Sequence, residues 1–348
     1  MQKGFSMNLK KYLSFFIKMM VSGVLALVIL SALCLIYYNP PMAAAQPDGY
    51  TNWKYVPNSS WRYMTEGHGH GTINSLGYND PQDPIPGVES ICFLGSSQTE
   101  ALQIDQNKSF SSLLETMISS DASASNDYQC LNLGISGHFF EIVVSNFQNF
   151  ADSFDDVRYA VIEINYVEFT EEEVESMLKE EYHSDYGARS LLSKALQKIP
   201  YLRLVSRQLN DLQKNKAAAA PASVPSEVPS YENYAAILDP VMGKLSRIAQ
   251  EHNFELIILK HSRIALDEEG NAYAQGSQEA LEQFRQSCEA NGIGFICTDE
   301  LFCEYVNTHQ EMPYGFPNAY CGEGHLNEVG HQLIAQLLYS ELFAAKEG

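Results

Sequence analysis

Basic residues are scarce. Against 43 acidic side chains the 348-residue chain sets 22 Lys and Arg, giving a formal charge of -21 at pH 7. Such a surface repels a phosphate backbone, so nucleic acid is not expected as a partner. Cysteines are also few, and none stands in a CxxC pair of the kind used by zinc ribbons or thiol oxidoreductases. His68 and His70 in "EGHGHG" lack a partner set at metal-ligand spacing, so neither a metal nor an organic cofactor is expected.

Charge is absent altogether from Met19 to Tyr38, "MMVSGVLALVILSALCLIYY". About 20 apolar residues in a helix match the ~30 Å hydrocarbon core of a bilayer. Lys3, Lys10, Lys11 and Lys18 precede this run and the next basic residue is Lys54. Positive charge held inside places the basic N-terminus (1–18) in the cytoplasm and everything after the anchor (19–38) outside. A cleavable signal peptide is the rival, with "MAAAQ" offering small residues to a peptidase, but the apolar run exceeds the usual signal core. An exported domain can hold disulfides. Cys92, Cys130 and Cys297 lie in apolar strand-like runs and read as buried thiols; Cys303 with Cys321 is the first pairing to test.

Residues 39–86 are rich in Pro, Gly, Asn and aromatics without a period, a linker running into an irregular lead-in. From residue 87 an alternation begins. Short apolar runs stand at 90–95, 128–135, 159–166, 254–260 and 292–299, separated by stretches of helical spacing such as "SFSSLLETMISS", "SQEALEQFRQSCEANG" and the final "GHQLIAQLLYSELFAA". This is the pattern of an α/β domain whose parallel sheet is covered on both faces. The rhythm breaks at about 167–230, an insertion with the acidic run "TEEEVESMLKEEYHSD", a helical pattern from Ala188 to about Asn215 and the low-complexity "KAAAAPASVPSEVPS", read as a tether.

Ligands of an open parallel sheet gather at the carboxyl ends of its strands. Here those ends carry Gly95-Ser96-Ser97, then Gly134-Ile135-Ser136-Gly137-His138, then Asn165, then His261 and Arg263. "CGEGHLNEVGH" precedes the last helix. Ser97 alone reads equally well as a helix N-cap, with Glu100 completing a capping box.

The blocks "LGSSQTEA", "LNLGISGHF", "IEINYVEF" and "GEGHLNEVGH", in that order and each at a strand end, resemble the four sequence blocks of the SGNH (GDSL-type) hydrolases; "TINSLGYND" is similar to a segment ahead of the first block in exported members. The resemblance implies a flavodoxin-like three-layer sandwich with a five-stranded parallel sheet, here with an N-terminal transmembrane helix. It implies Ser97 as nucleophile and His325 as base. The N–H groups of Ser97 and Gly137 and the amide of Asn165 match the oxyanion hole. Two positions depart from the pattern: Ser96 replaces the usual Asp, and Gly322 stands where the acid partner of the histidine belongs. Either Glu323, two residues before His325, takes that place, or a backbone carbonyl orients the ring and leaves a Ser97–His325 dyad. Ser96, His138, His261 and Arg263 are expected at the substrate rim.

The expected function is ester hydrolysis or O-acyl transfer on an acylated, foremost acetylated, glycan outside the membrane, without cofactor. Its rival is a non-catalytic polysaccharide-binding or scaffold protein at the membrane; a lipase-like esterase is a third, weaker option.

Overall fold

The five apolar runs become five parallel strands. The computed structural model describes residues 2–44, 50–51, 53–121, 128–179, 199–206, 233–319 and 321–343. In the lead-in, β1 (Ala43–Ala44) pairs antiparallel with β2 (Lys54–Tyr55), and β3 (Ser60–Tyr63) with β4 (Gly69–Thr72). The sheet follows with β5 (Glu89–Leu94), β6 (Tyr128–Asn132), β7 (Val157–Ile164), β8 (Glu255–Lys260) and, after the small hairpin β9 (Ile264–Leu266) and β10 (Ala272–Ala274), β11 (Gly294–Cys297). Its spatial order is β11-β8-β7-β5-β6, all parallel. In order of appearance that is 2-1-3-4-5, the flavodoxin-like arrangement.

Successive side chains of a strand face opposite sides, and both sides here are apolar. Cys92, Leu94, Ala160, Ile162, Leu256 and Ile258 join one core with the helices Phe140–Ser145, Phe147–Ser153, Tyr234–Glu251 and Gln278–Ala290. Ile91, Phe93, Tyr159, Val161, Ile257 and Leu259 join the other, with Phe110–Ser120, Asp299–His309 and Glu328–Leu342. These faces make the three layers, and they leave only strand ends for polar work.

The lead-in is not a mere linker. From Pro40 it belongs to the same compact unit as the sheet, so the domain begins ahead of residue 87. Trp61, Ile73 and Tyr78 are buried. Trp61 donates to Asn79 Oδ1 (2.8 Å), Asn79 donates to the Glu100 carbonyl (2.6 Å), and Asp80 accepts the Asn132 N–H (2.6 Å). The acidic run also splits: Thr170 and Glu173 form a capping box for the helix Glu171–Leu178, which exposes its carboxylates while burying Val174 and Met177. Apart from 199–206, the helical pattern of 188–215 and the tether of 216–230 lie outside the described residues.

The other compact unit, Met1–Asn39 with Ala188–Ser226, holds the helix Gln2–Tyr37. Its stretch Lys10–Tyr37 is long and apolar enough to cross a membrane, a property that anchors and signal sequences share. Cys303 and Cys321, the first pairing to test, are free thiols: Cys303 packs against the core while Cys321 lies exposed on β13 (Cys321–Leu326), which pairs with β12 (Tyr314–Gly315). Cys92 and Cys130 are buried as expected, and Cys297 is half-buried.

One helix contact has a pH signature. His331, in the last helix, stacks on Phe110 and accepts its N–H at Nδ1 (3.2 Å). Burial, reinforced by His261 and His325 nearby, pushes its pKa down to about 3. The unfolded chain takes up this proton near pH 6.5. His331 therefore leaves stability intact above that pH and removes about 1.4 kcal/mol per unit as pH falls below it towards 3. His331→Gln keeps an acceptor but cannot bind the proton, so its urea midpoint should fall less than that of the wild type between pH 7.5 and 5; an equal fall contradicts this reading.

Candidate active site

Ser97 opens the short helix Ser97–Glu100 just past the end of β5. The strands on either side bring the next groups. Ile135 N–H reaches Gly95 O (3.0 Å), carrying the β6 pairing into the loop that holds Gly137. Leu94 is in register with Ile162, so Ser97 and Asn165 each lie three residues past a paired position. Gly137 adopts φ +87° with open space where a Cβ would stand, a conformation that suits glycine and leaves its backbone approachable.

His325 arrives from β13. Its Nε2 lies 2.9 Å from Ser97 Oγ, and its Nδ1 lies 2.7 Å from Glu66 Oε2. Glu66 Oε1 also accepts the His325 backbone N–H (2.9 Å). With a carboxylate at Nδ1, that nitrogen carries the proton and Nε2 offers its lone pair to the serine hydroxyl. The candidate site is a Ser97–His325–Glu66 relay. It is half-buried, with the His325 side chain 25% and the Glu66 side chain 18% exposed.

Glu66, not Glu323, thus takes the place that Gly322 leaves empty. Glu323 is exposed on its strand, and the imidazole nitrogen it would have served is occupied. Two features seat Glu66. Gly324, at φ +91°, would set a Cβ 2.4 Å from Glu66 Oε1, so only a residue without one admits the carboxylate. Asn318 clamps the loop behind it, accepting the Gly67 N–H (2.8 Å) and donating to the Gly67 carbonyl (2.9 Å). Gln98 grips the strand on both sides of His325, donating to Gly324 O (3.3 Å) and accepting the Leu326 N–H (2.7 Å).

The N-cap alternative for Ser97 is not what forms. Ser96 occupies the cap position without a side-chain cap bond, and Glu100 is turned inward to accept the hydroxyls of Tyr55 (2.5 Å) and Ser136. Burial pushes its carboxyl up, against the opposing pull of those two hydroxyls. Glu100 so fastens β2 and the Gly137 loop to the helix that begins at Ser97.

No family model matches the chain, and no curated protein does. Among solved structures, the chain is similar to an acetyl xylan esterase (11% identity, 73% of this chain and 100% of that one, TM-score 0.41). It is also similar to a lipolytic G-D-S-L family protein from Veillonella parvula (13% identity, 74% and 98%, TM-score 0.39).

Of the expected rim residues, Ser96, His138 and His261 are buried; Arg263 is exposed. Ser96 donates to Glu163 from both its N–H (3.1 Å) and its hydroxyl (3.2 Å). His138 is walled by Tyr50 and Trp53. Accessible polar groups stand elsewhere, around a small cleft of about 40 Å³ lined by Asn165, Tyr166, Glu168, Gln275, Ser277 and Gln278 among others. Among the described residues no cluster of three His, Cys, Asp or Glu is placed to hold a metal ion.

Replacing the carboxylate that orients a catalytic imidazole by its amide favours the wrong tautomer, at a cost of up to roughly 10⁴ in rate. Glu66→Gln should therefore slow labelling of Ser97 by a fluorophosphonate by roughly 10² to 10⁴. Glu323→Gln should label at about the wild-type rate. The reverse ranking would restore Glu323 as the acid.

Proposed function

We propose that this chain is an extracytoplasmic SGNH-type serine esterase or O-acyltransferase that acts on acyl esters, acetyl foremost, of a cell-surface or extracellular glycan. The observation that carries the reading is the 2.9 Å contact of Ser97 Oγ with a histidine whose other nitrogen is held by a carboxylate.

A serine hydroxyl is a weak nucleophile at neutral pH and needs an adjacent base. Ser97 Oγ adds to the ester carbonyl carbon as its proton passes to His325 Nε2, and Glu66 stabilises the imidazolium that results. The oxyanion is received by the N–H groups of Ser97 and Gly137 and by the Asn165 amide; one such donor contributes roughly 3 kcal/mol in the transition state. Collapse expels the sugar oxygen, which takes the proton back from His325. Water, or a hydroxyl of a second sugar, then attacks the acyl-enzyme through the same base.

The polar groups around Asn165, among them Glu168, Gln275, Ser277 and Gln278, favour a polyhydroxylated alcohol side of the ester, whereas a lipid chain needs an apolar groove. The uncharged run of the N-terminal helix, with lysines ahead of that run, supports a site outside the membrane. A non-catalytic binder is the reading that Gly322 in the acid position favours; Glu66 at His325 Nδ1 supports the enzyme instead.

Fluorophosphonate should label the wild type and not Ser97→Ala, and the wild type should release acetate from acetylated xylan or peptidoglycan faster than it cleaves short lipid esters. A folded wild type that takes no label favours the binder. Preference for lipid esters would overturn the glycan assignment.

A further inference from the structure

Behind the relay lies a second histidine–carboxylate pair, with no access to solvent. The side chains of His261 and Glu163 are 1% and 2% exposed, and His261 Nε2 stands 2.8 Å from Glu163 Oε1. Glu163 Oε2 accepts three further bonds, all from the turn that carries Ser97: the Ser96 N–H (3.1 Å), the Ser96 hydroxyl (3.2 Å) and the Thr99 hydroxyl (3.1 Å). On the far side of the ring, His261 Nδ1 is 2.7 Å from Tyr314 Oη.

The directions of these bonds fix the proton count. Tyr314 has one hydroxyl hydrogen, and it is donated to Ser262 O (2.7 Å). Towards His261 the tyrosine oxygen can then only accept, so Nδ1 carries a hydrogen. At the other nitrogen stands a carboxyl group whose second oxygen already serves three donors, an arrangement that favours the ionised form. Burial pushes Glu163 up, but His261 and the donors of Ser96 and Thr99 outweigh it and hold the carboxyl below its ordinary range. An ionised Glu163 requires a hydrogen on Nε2 as well. The neighbouring charges are already matched, since Lys260 donates to Asp299 (2.6 Å) and Ser262 N–H donates to the same carboxylate (3.0 Å).

We infer that Glu163 and His261 form a buried carboxylate–imidazolium pair, and that Glu163 is a positioning residue that holds the Ser97 turn in register with the strand of His325. The second half of the statement follows from where the network ends. One end is the turn on either side of Ser97. The other is Tyr314 on β12, which is in register with Leu326, the residue after His325. A single chain of charge-assisted bonds therefore ties the two segments whose side chains, Ser97 Oγ and His325 Nε2, must stay within 3 Å of each other, and a carboxylate with donors on both oxygens has little freedom to rotate. Neither residue touches a substrate, so the roles of Ser97 and His325 rest on the esterase reading, whereas the charge state of the pair does not.

The test is nitrogen NMR of the full-length chain in detergent with ¹⁵N-labelled histidine, the His261 signals being assigned by their loss in His261→Asn. In the wild type at neutral pH both ring nitrogens of His261 should carry hydrogen. In Glu163→Gln the amide donates to Nε2, and that nitrogen should become unprotonated. An unprotonated ring nitrogen in wild-type His261 overturns the charged pair. For positioning, a misplacement of about 1 Å is enough to cost roughly 10²-fold in rate. Glu163→Leu should therefore slow fluorophosphonate labelling of Ser97 by roughly 10², while Glu163→Gln restores it to within about tenfold of wild type. Should Glu163→Leu not fold, Ser96→Ala with Thr99→Val strips two donors from Oε2, leaves the pair in place and should slow labelling as well. Folded variants that label at the wild-type rate overturn the positioning role. If the wild type itself takes no label, the esterase reading fails on its own, and the His325 ring signals decide: they should move in these variants, and unmoved signals overturn the positioning.

Discussion

Both ring nitrogens of His325 are engaged from outside its own strand, one by a serine 228 positions earlier in the chain and the other by a glutamate 259 positions earlier. That double engagement is the constraint on which the rest depends. An imidazole held at one nitrogen only can turn, exchange tautomers and lose its partner. Here the glutamate also accepts the backbone N–H of the same histidine, and Gln98 spans the residues beside it, so ring and strand are fixed together.

The surrounding architecture serves that constraint. Two apolar cores hold the sheet rigid, and the carboxyl ends of β5, β6 and β7 deliver Ser97, Gly137 and Asn165 to neighbouring places. The lead-in packs against the same end, so that Trp61, Asn79 and Asp80 anchor the loop that brings Glu66. A domain trimmed at residue 87 would keep the sheet and lose the acid. Under the nucleophile, Glu163 and Glu100 face inward in opposite roles. The first, on β7, is tied to His261 and to the turn of Ser96 and Thr99, the second to the lead-in and to the Gly137 loop.

Much of this was legible in the sequence, because apolar runs separated by amphipathic helices report a covered parallel sheet whatever the distant contacts are. Ser97 and His325 were legible only through the resemblance of their blocks to the SGNH hydrolases, since the strand end alone read as well for a helix N-cap at Ser97. Glu66 was not. Nothing near it ties residue 66 to residue 325, and the acid was sought three residues before the histidine, where Gly322 stands. The available signal was indirect. The glycines at 67 and 69 would set a Cβ 2.1 Å from Gln103 O and 2.3 Å from Leu102 O, so "EGHGHG" had to lie against another backbone. Gly324 beside His325 marked room for an incoming group. The rim was ambiguous for the opposite reason: a polar residue at a strand end can face solvent, as Arg263 does, or a buried partner, as Ser96 and His261 do at Glu163.

The most direct measurement of the account is an experimental structure of the protein after reaction with a fluorophosphonate. Phosphorus should be bonded to Ser97 Oγ, its oxygen should lie within hydrogen-bonding distance of the Gly137 N–H and the Asn165 amide, and His325 should remain against Glu66. An adduct on another residue, or one whose oxygen faces solvent with His325 turned away, would contradict it.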